Sequence, residues 1–219
     1  LKTKLNQAEE IEKLHGIALE YADHLLDEPV IERIQVGRRM LSASRDALRR
    51  IVLFSYCYRM TGEKKYLRKA EKDMLAASGF SDWNPSHFLD VAEMTAALAI
   101  GYDWLYHDLS LESRETIRNG IIEKGLKASF GHDNWKHGNN NWNQVCNGGM
   151  ALGAIAIYES NPELAKQMLK RAEETIDIPL EEYGPDGAYP EGPSYWNYGT
   201  TYHVLILDAY KTAFGDHGD

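Results

Sequence analysis

Apolar residues recur at every third or fourth position along most of the chain, and charged residues fill the positions between them. This spacing places the apolar side chains on one face of an α-helix. No segment alternates apolar and polar residues over a length that favours a β-strand. The pattern therefore predicts an all-α chain of eight helices. The expected ranges are 5–28, 44–61, 63–78, 86–106, 110–127, 143–159, 162–178 and 194–214.

Residues that start or stop helices support these boundaries. Pro29 ends the first helix, because a proline ring does not fit a helix interior. Gly62 is a typical C-terminal stop for the second. Ser110 can cap the fifth helix, and Asn161 followed by Pro162 suits the start of the seventh.

The predicted helices are of two kinds that alternate along the chain. One kind is rich in Lys, Arg and Glu and has one apolar side, whereas the other is apolar almost all round and is expected to be buried. This alternation favours an incomplete (α/α) toroid of about four helical hairpins, in one domain spanning 1–219. A solenoid of helix pairs would alternate less sharply. The surface kind comprises 63–78, 111–127 and 162–178, and the buried kind comprises 88–106, 145–158 and 203–214.

Three polar and aromatic loops each precede a buried helix, at 80–88, 132–144 and 184–198. They are spaced about 55 residues apart, roughly the length of one helical hairpin with its loops. All three loops should therefore enter inner helices from the same end. In a toroid they would share one mouth, towards which the N-termini of the inner helices also point.

Charge and composition narrow the classes of function. The formal net charge of -9 argues against nucleic acid as a partner, because phosphate binding needs a basic surface. The same charge opposes long-range attraction of an acidic polysaccharide. No apolar run is long enough to span a membrane, and the first residues do not resemble a signal peptide. Two cysteines decide nothing about redox compartment, and Cys57 is expected to be a buried thiol.

The loop before the sixth helix is crowded with side-chain amides and tryptophan. Amides donate and accept hydrogen bonds without carrying charge, which suits sugar hydroxyls and a carboxylate. A capping role is the better interpretation of any single Asn, but the cluster as a whole favours ligand binding. The candidates here are His137, Asn139, Asn140, Asn141, Trp142 and Gln144.

The loop before the eighth helix supplies a carboxylate and several aromatic rings. Glu191 lies in a rigid Glu-Gly-Pro turn, and Trp196 follows closely. Tyr195, Tyr198 and Tyr202 share one helical face. Tyr195 is expected at the mouth, whereas Tyr202 is expected to pack in the core.

The loop at 80–88 contributes Trp83, Asn84 and His87. Trp83 could stack on a sugar ring, and His87 could equally bind a ligand or pack. His132 and His137 have no cysteine nearby and lack a third metal ligand. The sequence shows neither a phosphate-binding glycine loop nor a nucleophile elbow. No metal or cofactor is therefore expected.

Three segments carry a resemblance to a known family. They read DWNPSHFLDVAEMT at 82–95, NNWNQVCNGG at 140–149 and GAYPEGPSYWNYGT at 187–200. In this order they resemble the heparinase II/III-like polysaccharide lyases, over roughly residues 45–215. The resemblance implies an N-terminal incomplete toroid followed by a β-sandwich domain. Because this chain lacks that domain, it is expected to be a fragment of a longer protein, which would be periplasmic or secreted.

The resemblance also implies a reaction and its residues. Members cleave uronic-acid polysaccharides such as heparin or alginate by β-elimination. It assigns Asn141 to the uronate carboxylate and Tyr195 to proton transfer, with Asn140 and Tyr198 as the alternatives. The expected partners are an acidic polysaccharide and the β-sandwich domain, and neither nucleic acid nor a membrane. The remaining substrate-binding candidates are Trp83, Asn84, His87, His137, Asn139, Trp142, Gln144, Glu191 and Trp196.

Two other functions are compatible with the sequence. A glycoside hydrolase with an (α/α) toroid needs two carboxylic acids beside the scissile bond. The loops offer Asp82, Asp133, Asp186 and Glu191 for that role. The other alternative is a non-catalytic helical module that binds carbohydrate.

Overall fold

The computed structural model describes residues 9–215, and these residues form eight α-helices and no β-strand. The prediction of an all-α chain is confirmed. None of the helices within this range is long and apolar enough to cross a membrane. The helices are α1 (Glu9–His24), α2 (Leu41–Thr61), α3 (Lys64–Ser78), α4 (Phe88–Leu105), α5 (Leu111–Gly120), α6 (Asn141–Ala156), α7 (Pro162–Thr175) and α8 (Pro193–Phe214).

Most helix ends follow the predicted signals. Gly62 ends α2 in the left-handed conformation, with φ of 78°. The side chain of Ser110 caps α5 by accepting a hydrogen bond from the Ser113 N–H at 3.0 Å. Pro162 occupies the first turn of α7. The first predicted helix began at residue 5, and its residues 5–8 lie outside the described part of the chain.

The fifth helix was predicted to continue to about residue 127, but its regular α-helical part is shorter. The α-helix ends at Gly120 and continues as a π-helical turn over Ile121–Leu126 and a short 3₁₀ helix over Lys127–Gly131. The wider turn places Gly125 so close to Thr95 that an added Cβ would lie 2.5 Å from its hydroxyl oxygen. Packing against α4 therefore overrides the regular helical pattern here.

Four helices, α2, α4, α6 and α8, pack side by side in that order and form an inner layer. They run parallel to one another, because the residue numbers of contacting positions increase in the same direction along neighbouring helices. Ala92 and Thr95 of α4, for example, meet Gly149 and Gly153 of α6. The surface helices α3, α5 and α7 pack on the outside of this layer, and α1 packs on α2.

Glycine allows α4 and α6 to approach very closely. A Cβ added at Gly149 would lie 2.3 Å from the backbone oxygen of Ala92. In a close-packed interior, that overlap could be relieved only by moving one helix away from the other. A Cβ at Gly148 would similarly meet the ring of Tyr202 on α8, at 2.8 Å. Gly148 and Gly149 together let α6 pack closely against α8 and α4.

Burial agrees with the predicted helix kinds except in α8. Most residues of α4 and α6 are buried, and Cys57 and Tyr202 are buried as expected. The prediction that 203–214 is buried on most sides is wrong, since Val204 is 56 % exposed and Leu207 is 58 % exposed. Among the described residues α8 has α6 as its main neighbour, so only one of its faces is covered.

The two ends of the helical layers differ in the length of their connections. Inner helices lead to outer helices through the short segments 62–63, 106–110 and 157–161. Outer helices return to inner helices through long segments, 79–87, 121–140 and 176–192. The N-terminal ends of the inner helices and the long segments that precede them therefore lie at one end of the molecule. We call this end the rim.

Candidate functional site

Side-chain contacts join neighbouring inner helices along the rim. Arg45 of α2 donates to Glu93 of α4, with its Nε 3.2 Å from Oε1. The ring of His87, just before α4, lies edge-on to the ring of Trp142 of α6, with centroids 5.0 Å apart. The loops that the sequence analysis placed at one end thus come together there.

Asn141, the predicted carboxylate ligand, is bound instead by a carboxylate of the chain itself. Its Nδ2 donates to both oxygens of Glu191 at 2.9 and 2.8 Å, and its backbone N–H donates to Glu191 Oε2 at 2.9 Å. The hydroxyl of Tyr189 donates to the same oxygen. Asn141 Oδ1 is buried without a partner. Asn141 and Glu191 therefore hold the 176–192 segment against the start of α6.

The buried amides that follow also have internal partners. Asn143 donates to the backbone oxygens of Lys136, at 2.8 Å, and Thr175, at 2.9 Å. Gln144 is buried and hydrogen-bonds the hydroxyl of Tyr183. Gln144 was a predicted substrate ligand, but its burial beneath α8 leaves it no access to one. These two amides tie α6 to the segments around it.

The outer part of the amide-rich loop is more accessible. Asn140 caps α6 by accepting a hydrogen bond from the Trp142 N–H at 3.1 Å. Asn139 donates to Glu182 at 2.6 Å, and His137 is exposed. Asn140 therefore has the capping role that the sequence analysis considered for single asparagines of this loop. The amide cluster as a whole mainly joins loops to one another.

Trp83 does not have the predicted position. It is completely buried, and its indole N–H donates to the backbone oxygen of Ala77 at 2.9 Å. The prediction that Trp83 stacks on a sugar ring is wrong for this structure, because neither ring face reaches the surface. The size of the side chain and its indole donor suit the core beneath the rim as well as they suit a binding site.

Asn84 and His87 are both buried and both contact Asp90, which the sequence analysis did not single out. Asn84 Nδ2 lies 2.7 Å from Asp90 Oδ2, and His87 Nδ1 lies 2.9 Å from Asp90 Oδ1. The backbone N–H of Met40 also donates to Asp90, at 2.6 Å. Asp90 thus joins the residue before α2 to the loop before α4.

A second cluster combines the candidate Tyr198 with Arg45 and Glu93, which the sequence analysis did not single out. The hydroxyl of Tyr198 donates to Glu93 Oε1, and the guanidinium carbon of Arg45 lies 5.3 Å from the centre of the Tyr198 ring. Burial raises the pKa of Glu93 above its ordinary value. Burial and the Glu93 carboxylate also raise the pKa of Tyr198. Tyr198 therefore remains a protonated donor.

Two signals could have identified this cluster. Asp90 and Glu93 are the acidic residues near the start of an otherwise apolar helix, where an unpaired charge would be costly. His87, Asp90 and Glu93 follow one another at intervals of three residues, which places them near one side of the first turns of α4. Arg45 carries no such signal, because it resembles many surface arginines.

Three further side chains at the rim, from α2 and the start of α8, are exposed. Arg45 is 55 % exposed in its side chain, Tyr195 is 48 % exposed and Trp196 is 40 % exposed. The indole N–H of Trp196 donates to the backbone oxygen of Gly187 at 3.1 Å, which fixes its ring. Tyr195 has no hydrogen-bond partner among residues 9–215. Its phenol is therefore available to a ligand.

A cleft of about 410 Å³ opens between the loops before α4 and α6. Its walls combine aromatic and polar side chains, including Ser86, Phe88, Asn134, Trp135, Asn140 and Trp142. A second cavity, of about 370 Å³, lies between the distant halves of α4, α6 and α8 and is mostly apolar. Of these two cavities, the first adjoins the rim and its polar groups.

Within residues 9–215 no three His, Cys, Asp or Glu side chains form a group that could hold a metal ion. No protein-family model matches the chain, and no curated protein matches it at a significant level. The geometry of the rim and the resemblance of its three sequence segments are therefore the remaining indications of function.

Proposed function

We propose that the chain is the helical, substrate-binding part of a lyase that cleaves uronic-acid polysaccharides by β-elimination. Its helices would form an incomplete (α/α) toroid, with α2, α4, α6 and α8 inside. The observation that carries the proposal is the arrangement at the rim, where four parallel helix N-termini, an exposed guanidinium and an exposed phenol share one end of the molecule. The resemblance of the rim segments to the heparinase II/III-like family supports it.

The substrate carboxylate would bind at Arg45. Its guanidinium is exposed, and its contacts with Glu93 and Tyr198 orient it. The N-terminal ends of the parallel inner helices add partial positive charge at the same end of the molecule. This local field opposes the acidic net charge of the protein. Charge that moves onto the carboxylate in the transition state would be stabilised there.

Tyr195 would supply the proton for the leaving glycosidic oxygen. Its phenol is exposed in the first turn of α8, whereas the Tyr198 phenol is committed to Glu93. A phenol is a competent hydrogen-bond donor and general acid when it is held against the leaving group. The structure thus favours Tyr195 over Tyr198 for this step.

Asn141 would act indirectly in this proposal. Its donors are bound to Glu191, so it orders the loop that leads into α8 and carries Tyr195. This assignment replaces the direct carboxylate contact that the family resemblance implies for Asn141.

The test is an assay against a panel of uronic-acid polysaccharides, using the chain and any longer protein that contains it. A lyase leaves an unsaturated uronate whose ultraviolet absorbance increases with each cleavage. Tyr195→Phe should lower kcat at least ~100-fold with a small change in KM, whereas Tyr106→Phe at the opposite end should change neither. Binding without any unsaturated product would favour a non-catalytic carbohydrate-binding module and overturn the proposal.

One observation favours a glycoside hydrolase as a second candidate. Glu93 is a buried carboxyl whose pKa is raised and whose Oε2 is buried without a partner, as suits a general acid. The second carboxylate would be Glu191, which is bound to Asn141 in this structure. Cleavage that produces reducing ends without ultraviolet absorbance, and that is abolished in Glu93→Gln, would identify this activity.

A further inference from the structure

The environment of Asp90 suggests more than a structural role for His87. Asp90 is completely buried, yet its carboxylate accepts three hydrogen bonds, from Met40 N at 2.6 Å, Asn84 Nδ2 at 2.7 Å and His87 Nδ1 at 2.9 Å. The first two donors fix the position of the carboxylate. The third places the imidazole ring in one orientation relative to it.

The hydrogen bond to Asp90 also selects the tautomer of His87. A carboxylate only accepts hydrogen bonds, so Nδ1 must carry the proton and Nε2 must carry the lone pair when the ring is neutral. No residue within 9–215 hydrogen-bonds to Nε2. Nε2 is also not sealed in the interior, unlike the unpartnered Nδ1 of His203. The His87 side chain is 9 % exposed, so this lone pair has narrow access to solvent.

The rest of the ring is held from the side of α6. The ring of Trp142 lies at 79° to the imidazole, with centroids 5.0 Å apart. Trp142 also lines the cleft between the loops before α4 and α6. A ligand in that cleft would thus lie beside the residue that contacts His87.

Backbone strain nearby is consistent with a functional arrangement. Asn84 has a positive φ of 58°, which is uncommon for a residue other than glycine. In this conformation its amide reaches both Asp90 and the backbone oxygen of Arg38, and its own N–H donates to Asp82. Strained residues persist where surrounding contacts impose them, and they are concentrated at functional sites.

We propose that His87 is the general base of the rim and that Asp90 is its positioning residue. This inference rests on the proposed lyase function and supplies the proton acceptor that it lacks. A base oriented through its second nitrogen by a buried carboxylate is a recurring catalytic arrangement. Asp90 would also stabilise the imidazolium that forms when Nε2 takes a proton.

In the proposed elimination, His87 takes one proton from the substrate and Tyr195 gives one to the leaving group. Nε2 takes the proton from the carbon next to the uronate carboxylate. The electron pair of that C–H bond forms the carbon–carbon double bond, and the bond to the glycosidic oxygen breaks. Tyr195 gives its proton to this oxygen. The imidazolium then returns a proton through solvent to the tyrosinate, which restores both groups.

The decisive variant is His87→Asn, because the Asn amide can still donate to Asp90 but has no atom in place of Nε2. It should lower kcat by ~10²–10⁴ with little change in KM and keep the wild-type melting temperature. His107→Asn, an exposed histidine at the far end of α4, is the matched control and should behave as wild type. Nitrogen-15 NMR of the histidine rings should show neutral His87 protonated at Nδ1.

The outcomes separate this inference from the function on which it rests. Normal turnover by a folded His87→Asn overturns the role of His87 and leaves the lyase proposal standing. Absence of unsaturated product from the wild-type protein on every uronate overturns both. If His87→Asn does not fold, the wild-type NMR spectrum decides, since a neutral ring protonated at Nε2 would refute the dyad.

Discussion

Replacing Gly149 by alanine tests the close approach of the α4 and α6 backbones. The added Cβ would lie 2.3 Å from the backbone oxygen of Ala92 and 2.8 Å from its carbonyl carbon. The shorter distance is roughly 1 Å less than the ~3.5 Å at which non-bonded atoms make favourable contact. All the atoms that the Cβ would meet belong to backbone, so no side chain can rotate away. α4 and α6 must therefore separate.

The cost of this separation can be estimated from overpacked cores. Inserting a methyl group into a well-packed interior usually costs about 1–3 kcal/mol. In a protein of this size each kcal/mol lowers the melting temperature by about 2–4 °C. Gly149→Ala should therefore melt about 2–12 °C below the wild type. Adding Ala92→Gly should not restore stability, because the oxygen, carbonyl carbon and Cα of residue 92 remain.

Thermal melting followed by circular dichroism measures the effect, and Gly16→Ala provides the control. A Cβ at Gly16 on α1 would meet nothing within 4 Å. That variant should gain roughly 0.5–1 kcal/mol, because alanine is the better helix former. A Gly149→Ala protein as stable as the wild type would refute the close approach of α4 and α6. It would also weaken the case that His87 and Trp142 are held in register.

The other variants probe the rim. Glu191→Ala should destabilise the protein by roughly 1–2 kcal/mol in urea unfolding, because Asn141 loses its charge-assisted partner, whereas Glu181→Ala should be neutral. Because burial raises the pKa of Glu93, its favourable contribution is present at low pH and is lost as pH rises through the raised pKa. The stability of wild type relative to Glu93→Gln should therefore fall as the pH rises above the ordinary pKa of a glutamic acid, about 4.3. Asn84→Ala should lose more stability than Asn84→Gly, since only alanine adds strain at positive φ.

Each of these expectations has a clear contrary result. Equal urea midpoints for Glu191→Ala and Glu181→Ala would mean that the Asn141 contact contributes nothing to stability. A difference between wild type and Glu93→Gln that grows with pH would reverse the sign argued for Glu93. A more stable Asn84→Ala than Asn84→Gly would show that the backbone at this position is not strained.

Much of the scaffold could be predicted from local sequence signals. Gly62, Ser110 and Pro162 act within a turn of themselves, so their effect on helix ends does not depend on distant residues. Inner helices that alternate with outer helices along the chain must run parallel to one another. The regular spacing of the three polar loops therefore predicted that all three lie at the same end. The exposed face of α8 could not be predicted, because burial depends on which neighbours are present and not on hydropathy alone.

The site residues were harder to predict, because their roles depend on contacts across about 50 residues of sequence. Asn141 carries the donors expected of a carboxylate ligand, but the carboxylate it meets belongs to Glu191. The indole of Trp83 suits a sugar face or the core equally well, and its distant neighbours place it in the core. Asp90 matters because Met40 donates to it, and no local pattern records that contact.

The unequal lengths of the connections at the two ends have an evolutionary consequence. The short turns at 62–63, 106–110 and 157–161 fix how each helix pair closes, so they leave little room for insertion or deletion. At the other end, exposed stretches of the long segments, such as 184–188, can change in length and composition without disturbing the helices, whereas buried residues such as Trp83 cannot. Selection can therefore remodel these exposed stretches one loop at a time, while the inherited framework stays the same.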